Sequence, residues 1–420
     1  MTRFALAIAA VLAACAHHDS TISTDAPAPP LDAPVAACTS SYAVGSGSAW
    51  CAVDAMLDQS LAGSAGTSQY PGYEFAVYQA DATGAPVLRY SRVDGMIDGA
   101  TADVATPVKT ASAAKMIAAL LVARAASYAG SAALSPATTI DVLGCSGLDP
   151  RLAGTTLDQL MHQIAGLDYQ AENACVTSTK VALADCACSI LQTNYVPAQA
   201  GSFAYTPHNF TVAIAMADAV LRAAPTPTDV RTLFADWIAT LGIPSTEAML
   251  TPTNDFAGGD HLSARAYAQL AALALPGPAR GTYRGQTLLD STMLDRMTTP
   301  FDDDVTITYS PYEAAVGFAM RYGFGDWVQC GAAWPEPATW PALDAPVVTL
   351  EYATCPYRAI DSLGKFGYMP WFTVGDRPYV AVMAVDLSGG SDASRVSANS
   401  FAAYEMLDPL LRTAIDDPSP

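Results

Sequence analysis

The sequence predicts an α+β fold: one antiparallel sheet built from both termini and flanked by helices, with a mostly helical region inserted between them. Near the front, Gly72-Tyr-Glu-Phe-Ala-Val-Tyr78 and Pro86-Val-Leu-Arg-Tyr-Ser-Arg92 are rich in β-branched and aromatic residues, with Ala-Thr-Gly-Ala between them. That pattern reads as two paired strands joined by a turn. Strand patterns return near the back, at Pro346–Tyr352, Tyr368–Thr373 and Tyr379–Val385. From about 110 to 300 the chain reads as helices with Pro- and Gly-rich breaks. Strands at both ends of a helical middle meet in a single sheet, and a cleft forms where sheet and helices join.

Taken in chain order, the first residues set the compartment. Met1-Thr-Arg3 is a short positive segment, Phe4–Ala14 an apolar one, and Leu12-Ala-Ala-Cys15 closes it. An apolar run of about 11 residues is too short to cross a bilayer and fits the core of a signal peptide. Leu-Ala-Ala-Cys resembles a bacterial lipoprotein box, which makes Cys15 the expected lipidated first residue of the mature chain. An ordinary secretory signal cut nearby is the alternative. Residues 16–37, with Asp25-Ala-Pro-Ala-Pro-Pro-Leu-Asp-Ala-Pro34, read as a flexible tether. Ala49–Leu61 has helical periodicity, and Val396–Ile415 is a closing helix. Residues 38–420 are expected to form one domain, its helical insertion spanning about 125–340. No later run reaches the roughly 18 apolar residues of a membrane span.

With 51% hydrophobic and 14% charged residues, the chain can bury a large core. A net charge of −20 gives an acidic surface that repels phosphate backbones, so nucleic acid is not an expected partner. Attachment to a membrane would come from the lipid rather than from a basic patch. Setting Cys15 aside leaves Cys38, Cys51, Cys145, Cys175, Cys186, Cys188, Cys330 and Cys355. An even number in an exported chain points to disulfides, although eight cysteines allow 105 pairings. Proximity in sequence suggests Cys38–Cys51 and Cys330–Cys355, with the middle four paired among themselves. Cys186-Ala-Cys188 is not a usual zinc spacing and has no histidine near it, so no metal is expected.

Ser112 and Lys115 carry the chemical signal. They stand three apart at the start of the apolar run Ala113-Ala-Lys-Met-Ile-Ala-Ala-Leu-Leu-Val-Ala123, and residues so spaced share one helix face. Burial lowers a lysine pKa, and a neutral amine can take the proton of a serine hydroxyl. Spacing alone is a weak signal, because all four lysines have Ser or Thr three residues before them: Lys109, Lys115, Lys180 and Lys365. Only Lys115 opens a long apolar helix. A Ser-His-Asp triad has poorer support, since His162, His208 and His261 lack a Gly-x-Ser-x-Gly elbow to serve.

Further segments now matter in series. Thr156-Leu-Asp-Gln-Leu-Met-His-Gln-Ile-Ala-Gly-Leu167, Gly201-Ser-Phe-Ala-Tyr205-Thr-Pro-His-Asn-Phe210, Leu241-Gly-Ile-Pro244, Ala257-Gly-Gly-Asp-His-Leu-Ser-Ala-Arg265 and Gly285-Gln-Thr-Leu-Leu289 follow Ser112 in order. Together they resemble the motifs of the serine β-lactamase-related hydrolases, the group of class C β-lactamases, DD-peptidases and family VIII esterases. The resemblance covers roughly residues 68–415. It implies that Ser112 is the nucleophile that carries an acyl group, that Lys115 shares its proton, and that Tyr205 relays a proton to the leaving group. It also implies a third motif on a strand lining the cleft, with two registers open. Ser362-Leu-Gly364 is preferred, which makes the N–H of Lys365 an oxyanion donor beside that of Ser112; Lys365-Phe-Gly367 is the alternative. No cofactor is implied.

Departures from the family pattern shape the expected substrate. Pro207 stands where the second motif has asparagine, Gln163 and Ala165 replace the His and Ser of an earlier stretch, and Ser362 replaces the third-motif lysine. These changes keep acyl-transfer machinery and weaken β-lactam recognition, so the resemblance implies hydrolysis of a small ester or amide in the bacterial envelope. The rivals are a peptidoglycan DD-carboxypeptidase or β-lactamase, and a non-catalytic ligand-binding lipoprotein of the same fold.

Overall fold

In the computed structural model the two front strands pair as their composition predicts. β1 (Gly72–Ala80) runs antiparallel to β2 (Pro86–Ile97), with Ala76 opposite Ser91. The structure describes residues 39–44, 47–62, 72–97, 100–301, 305–311, 321–330, 358–385 and 393–416. Cys15, Cys38, Cys355, the tether and the Pro346–Tyr352 stretch lie outside these.

Among the described residues six further strands join the sheet: β3 (Ala100–Thr101), β4 (Arg321–Tyr322), β5 (Trp327–Cys330), β6 (Arg358–Asp361), β7 (Met369–Val374) and β8 (Val380–Ala384). Their spatial order is β4-β5-β6-β7-β8-β1-β2-β3, and every neighbouring pair is antiparallel. The two ends of the chain join where β1 pairs with β8, in a register that sets Glu74 opposite Ala384 and Tyr78 opposite Val380. β4 and β5 fall inside the stretch expected to be the helical insertion. They are two and four residues long, too short to leave a readable alternation.

Among the described residues the α-helices are α1 (Trp50–Ala62), α2 (Ala114–Ala129), α3 (Leu157–Met161), α4 (Leu183–Thr193), α5 (His208–Ala223), α6 (Val230–Leu241), α7 (Ala264–Ala272), α8 (Ser291–Met297) and α9 (Ala393–Asp416). β1 is buried on both faces, and its alternation sorts the layers. Phe75 meets Tyr90 and Trp371, with Trp50 of α1 stacked on Tyr90 and Tyr404 of α9 against Trp371. On the other face, Glu74 accepts the N–H of Ala264 at the start of α7, and Tyr78 accepts from Gln269 within it. Helices therefore cover both sides of the sheet. α2 is mostly apolar and buried along nearly its whole length, with α5, α6, α7 and α8 packed about it. Such a helix belongs at the centre of a large core.

Cys145–Cys188 and Cys175–Cys186 are disulfides, which pairs the middle four cysteines among themselves. Cys51 is disulfide-bonded as well, while its expected partner Cys38 and the expected partner of Cys330 are outside the described residues. Disulfides of this kind persist in an oxidising environment. Among the described residues no helix is long and apolar enough to cross a membrane.

Candidate active site

A single 3₁₀ turn, Ala111–Ala113, leads into α2 and carries Ser112. Ala111 stands at φ 47°, a left-handed conformation that a Cβ disfavours, so backbone strain sits immediately before the serine. Neighbours hold the turn from three sides. The Thr110 N–H and hydroxyl both donate to the Asp260 carbonyl, at 3.0 and 2.9 Å. Tyr267 of α7 donates its hydroxyl to the Ala113 carbonyl at 2.7 Å, and the Ser362 hydroxyl reaches the Ser112 carbonyl at 3.3 Å. Ala111 and Ala113 are buried, whereas Ser112 is half-buried and open to solvent.

Lys115 lies one turn on. Its Nζ donates to the Ser112 hydroxyl at 3.1 Å and to the Ala257 carbonyl at 3.1 Å, and only 2% of the residue is exposed. The amine also sits 4.5 Å from the centre of the Tyr205 ring. Burial lowers its pKa from 10.5 to about 7, with the Asp255 charge opposing the shift in part. The apolar run read from the sequence is thus the cause of the depressed lysine.

Tyr205 follows the short strand Phe203–Ala204, which pairs in parallel with Ile307–Tyr309. Its phenol is hydrogen-bonded to Ser112, and its ring stacks on Trp327 at 5.5 Å. Burial pushes the phenol above its ordinary pKa; the Ser112 hydrogen bond opposes that shift and the Asp361 charge adds to it. The group is therefore a neutral phenol at neutral pH. Gln163, which the sequence offers only as a departure from the family pattern, frames this tyrosine. Its side-chain oxygen accepts the Thr206 N–H at 2.5 Å and its carbonyl accepts the Ala204 N–H at 3.0 Å. The helix before it starts with a reciprocal capping box between Thr156 and Gln159, the physical content of the Thr-Leu-x-x-Leu stretch.

β6 ends at Asp361 and continues as Ser362-Leu363-Gly364 along the Thr110–Ser112 turn. A Cβ on Gly364 would fall 2.2 Å from the Thr110 carbonyl oxygen, so only glycine permits this approach. Lys365 begins the tight turn that follows, with its side chain exposed, and Gly367 completes that turn at φ 94°. Of the two stretches, it is Ser362-Leu-Gly364 that lies against the Thr110–Ser112 turn. Ser362 also donates to the Gly325 carbonyl at 3.2 Å, tying β6 to the β4–β5 connection.

Two members of this site have no side-chain signature in the sequence or none that points to a role. The Ala257 carbonyl is backbone, although its Ala-Gly-Gly segment belongs to the ordered motifs. Asp361, buried and raised to about 7 by that burial, acts on Tyr205 through space. His162 lies between the Asp158 and Thr299 carbonyls, and His208 near Thr206 and the Asp168 carbonyl. Among the described residues no group of three or more His, Cys, Asp or Glu is placed to hold a metal ion.

The chain has the fold shared by serine β-lactamases and penicillin-binding proteins. Its structural neighbours include a candidate β-lactamase from Bacteroides dorei, at TM-score 0.62 and 17% identity over 86% of this chain and 99% of that one. A β-lactamase/D-alanine carboxypeptidase from Yersinia pestis aligns at TM-score 0.59 and 14% identity, over 86% and 98% of the two chains. EstCE1, a hydrolase with promiscuous acyltransferase activity, aligns at TM-score 0.54 and 14% identity over 85% and 99%. No family model matches the chain, and no curated protein matches it.

Proposed function

We propose that the chain is an exported serine hydrolase that forms an acyl-enzyme on Ser112, with Lys115 and Tyr205 as proton-transfer partners, and that it acts on a small ester or amide. One observation carries the reading: a buried amine with a pKa of about 7 stands 3.1 Å from an accessible serine hydroxyl. Near neutral pH about half of such amines are neutral and able to take a proton. The Ser112 oxygen attacks the substrate carbonyl carbon as its proton passes to Lys115. The carbonyl C–O or C–N bond then breaks, with the leaving group taking the Tyr205 proton and Tyr205 recovering one from Lys115. Water repeats the sequence on the acyl-enzyme and releases the acid. The N–H groups of Ser112 and Lys365 are assigned to the oxyanion, where losing one such donor costs about 3–4 kcal/mol in related acyl transfer.

Esters are favoured over β-lactams because Pro207 and Ser362 occupy the positions from which the resembling families hold a β-lactam. Short-chain p-nitrophenyl esters are expected to be hydrolysed and a chromogenic cephalosporin to be a poor substrate. Fast cephalosporin turnover without ester hydrolysis would favour the carboxypeptidase or β-lactamase reading. A lipid on Cys15 is assigned as the membrane anchor. Mass spectrometry of the mature chain from bacterial membranes should find Cys15 diacylglyceryl-modified; an unmodified mature chain starting elsewhere would remove the anchor.

A further inference from the structure

The loop from Thr251 to Asp260 supplies two of the contacts that define the site. Its Ala257 carbonyl accepts from Lys115, and its Asp260 carbonyl accepts twice from Thr110. Inside the loop, the Thr251 N–H donates to the Asp260 carboxylate at 2.8 Å and the Gly259 N–H to the Asp255 carbonyl at 2.9 Å. Asn254, only 4% exposed, fastens this loop to its surroundings. Its amide nitrogen donates to the carbonyls of Cys175 and Val181, each at 3.1 Å, and its N–H donates to the Val176 carbonyl at 2.9 Å. Its own carbonyl accepts from the Thr211 hydroxyl at 2.9 Å. Cys175, Val176 and Val181 belong to the segment closed by Cys175–Cys186, and Thr211 belongs to α5, the helix that follows Tyr205.

We propose that Asn254 is a positioning residue: by tying loop 251–260 to the disulfide-closed segment and to α5, it holds the Ala257 carbonyl on the Lys115 amine and thereby aims that amine at Ser112. The inference rests on the proposed role of Lys115 as the base. A neutral amine has two N–H donors and one lone pair. Donating one N–H to a fixed carbonyl leaves the lone pair free to meet the Ser112 hydroxyl. An asparagine suits the task because its two N–H groups diverge onto two carbonyls that no helix satisfies, which leucine, serine or an ionised aspartate cannot do. The titratable groups that face Lys115 are Asp255, from the same loop, and Tyr205, which Asp361 of β6 influences in turn.

The test reads the amine directly in the full chain. Lysine labelled with ¹³C at the ε carbon gives one signal for each of Lys109, Lys115, Lys180 and Lys365, and Lys115→Met assigns the one of interest. In Asn254→Ala the loosened loop admits water to the amine. The Lys115 midpoint should then rise by about one pH unit, lowering labelling by a fluorophosphonate probe about fivefold at pH 7 and restoring it above pH 8. Thr211→Val, a milder loss at the same asparagine, should move the midpoint the same way by less. A merely structural role would lower the melting temperature and leave the midpoint in place. An unmoved midpoint in folded Asn254→Ala overturns the proposal, and Thr211→Val decides it by the same criterion if the first variant fails to fold. Because the spectrum needs no turnover, a parent chain that never reacts with the probe would sink the hydrolase reading and leave this test standing.

Discussion

Replacing Ser112 with alanine is expected to abolish fluorophosphonate labelling and to lower ester hydrolysis by at least about 10³-fold. The substitution removes one oxygen from a half-buried position, and the turn that carries it is held by Thr110, Ala113 and the Ser112 carbonyl, all of which remain. Circular dichroism and melting temperature should therefore match the parent. Lys115→Met should cost nearly as much activity, since nucleophile and base act as one unit and their losses do not add. The double variant should be no worse than either single one. Full ester hydrolysis in Ser112→Ala would remove the nucleophile from which every later step follows.

With Lys115 as the proposed base, the labelling rate should fall on the acid side with a midpoint near pH 7, because a protonated amine cannot take the Ser112 proton. Two pH units below that midpoint about one amine in a hundred is neutral, so labelling at pH 5 should be about 100-fold slower than its plateau. Asp361 is also raised to about 7, so its titration must be told apart. Asp361→Asn should keep the acid limb, whereas a limb that vanishes with Asp361 would transfer the control to that carboxyl. Stability carries the same signature. Between about pH 7 and 10.5 the unfolded chain binds a proton on Lys115 that the folded chain does not. Stability therefore rises with pH across that window, and Lys115→Met should flatten this part of the curve.

Residues differ in how much they disclose before folding. Ser112 and Lys115 are legible because one helical turn brings them together and the apolar run after them supplies the burial that lowers the amine. Tyr205 is not legible by itself: a tyrosine after Phe203 reads as core, and only the ordered motifs single it out. The third motif stays open in sequence because periodicity cannot tell the end of a strand from the turn after it. The distinction lies in the contact of Gly364 with the Thr110 carbonyl, between residues far apart in the chain. β4 and β5 escape for want of length. Ala257 and Asn254 act through a carbonyl and a loop anchor, and neither role requires a residue type that composition would flag.

The pairing of β1 with β8 has a consequence in time as well as in space. Ser112, Lys115 and Tyr205 leave the ribosome long before β6 and Gly364, and β1 waits for a partner that is made some 300 residues later. Contacts of such separation form late, because the intervening chain must first be closed into a loop. A growing or truncated chain thus carries the serine, its amine and its phenol with no strand to stand against the nucleophile turn. The assembled arrangement is a property of the finished chain, complete only once the last strands are laid down.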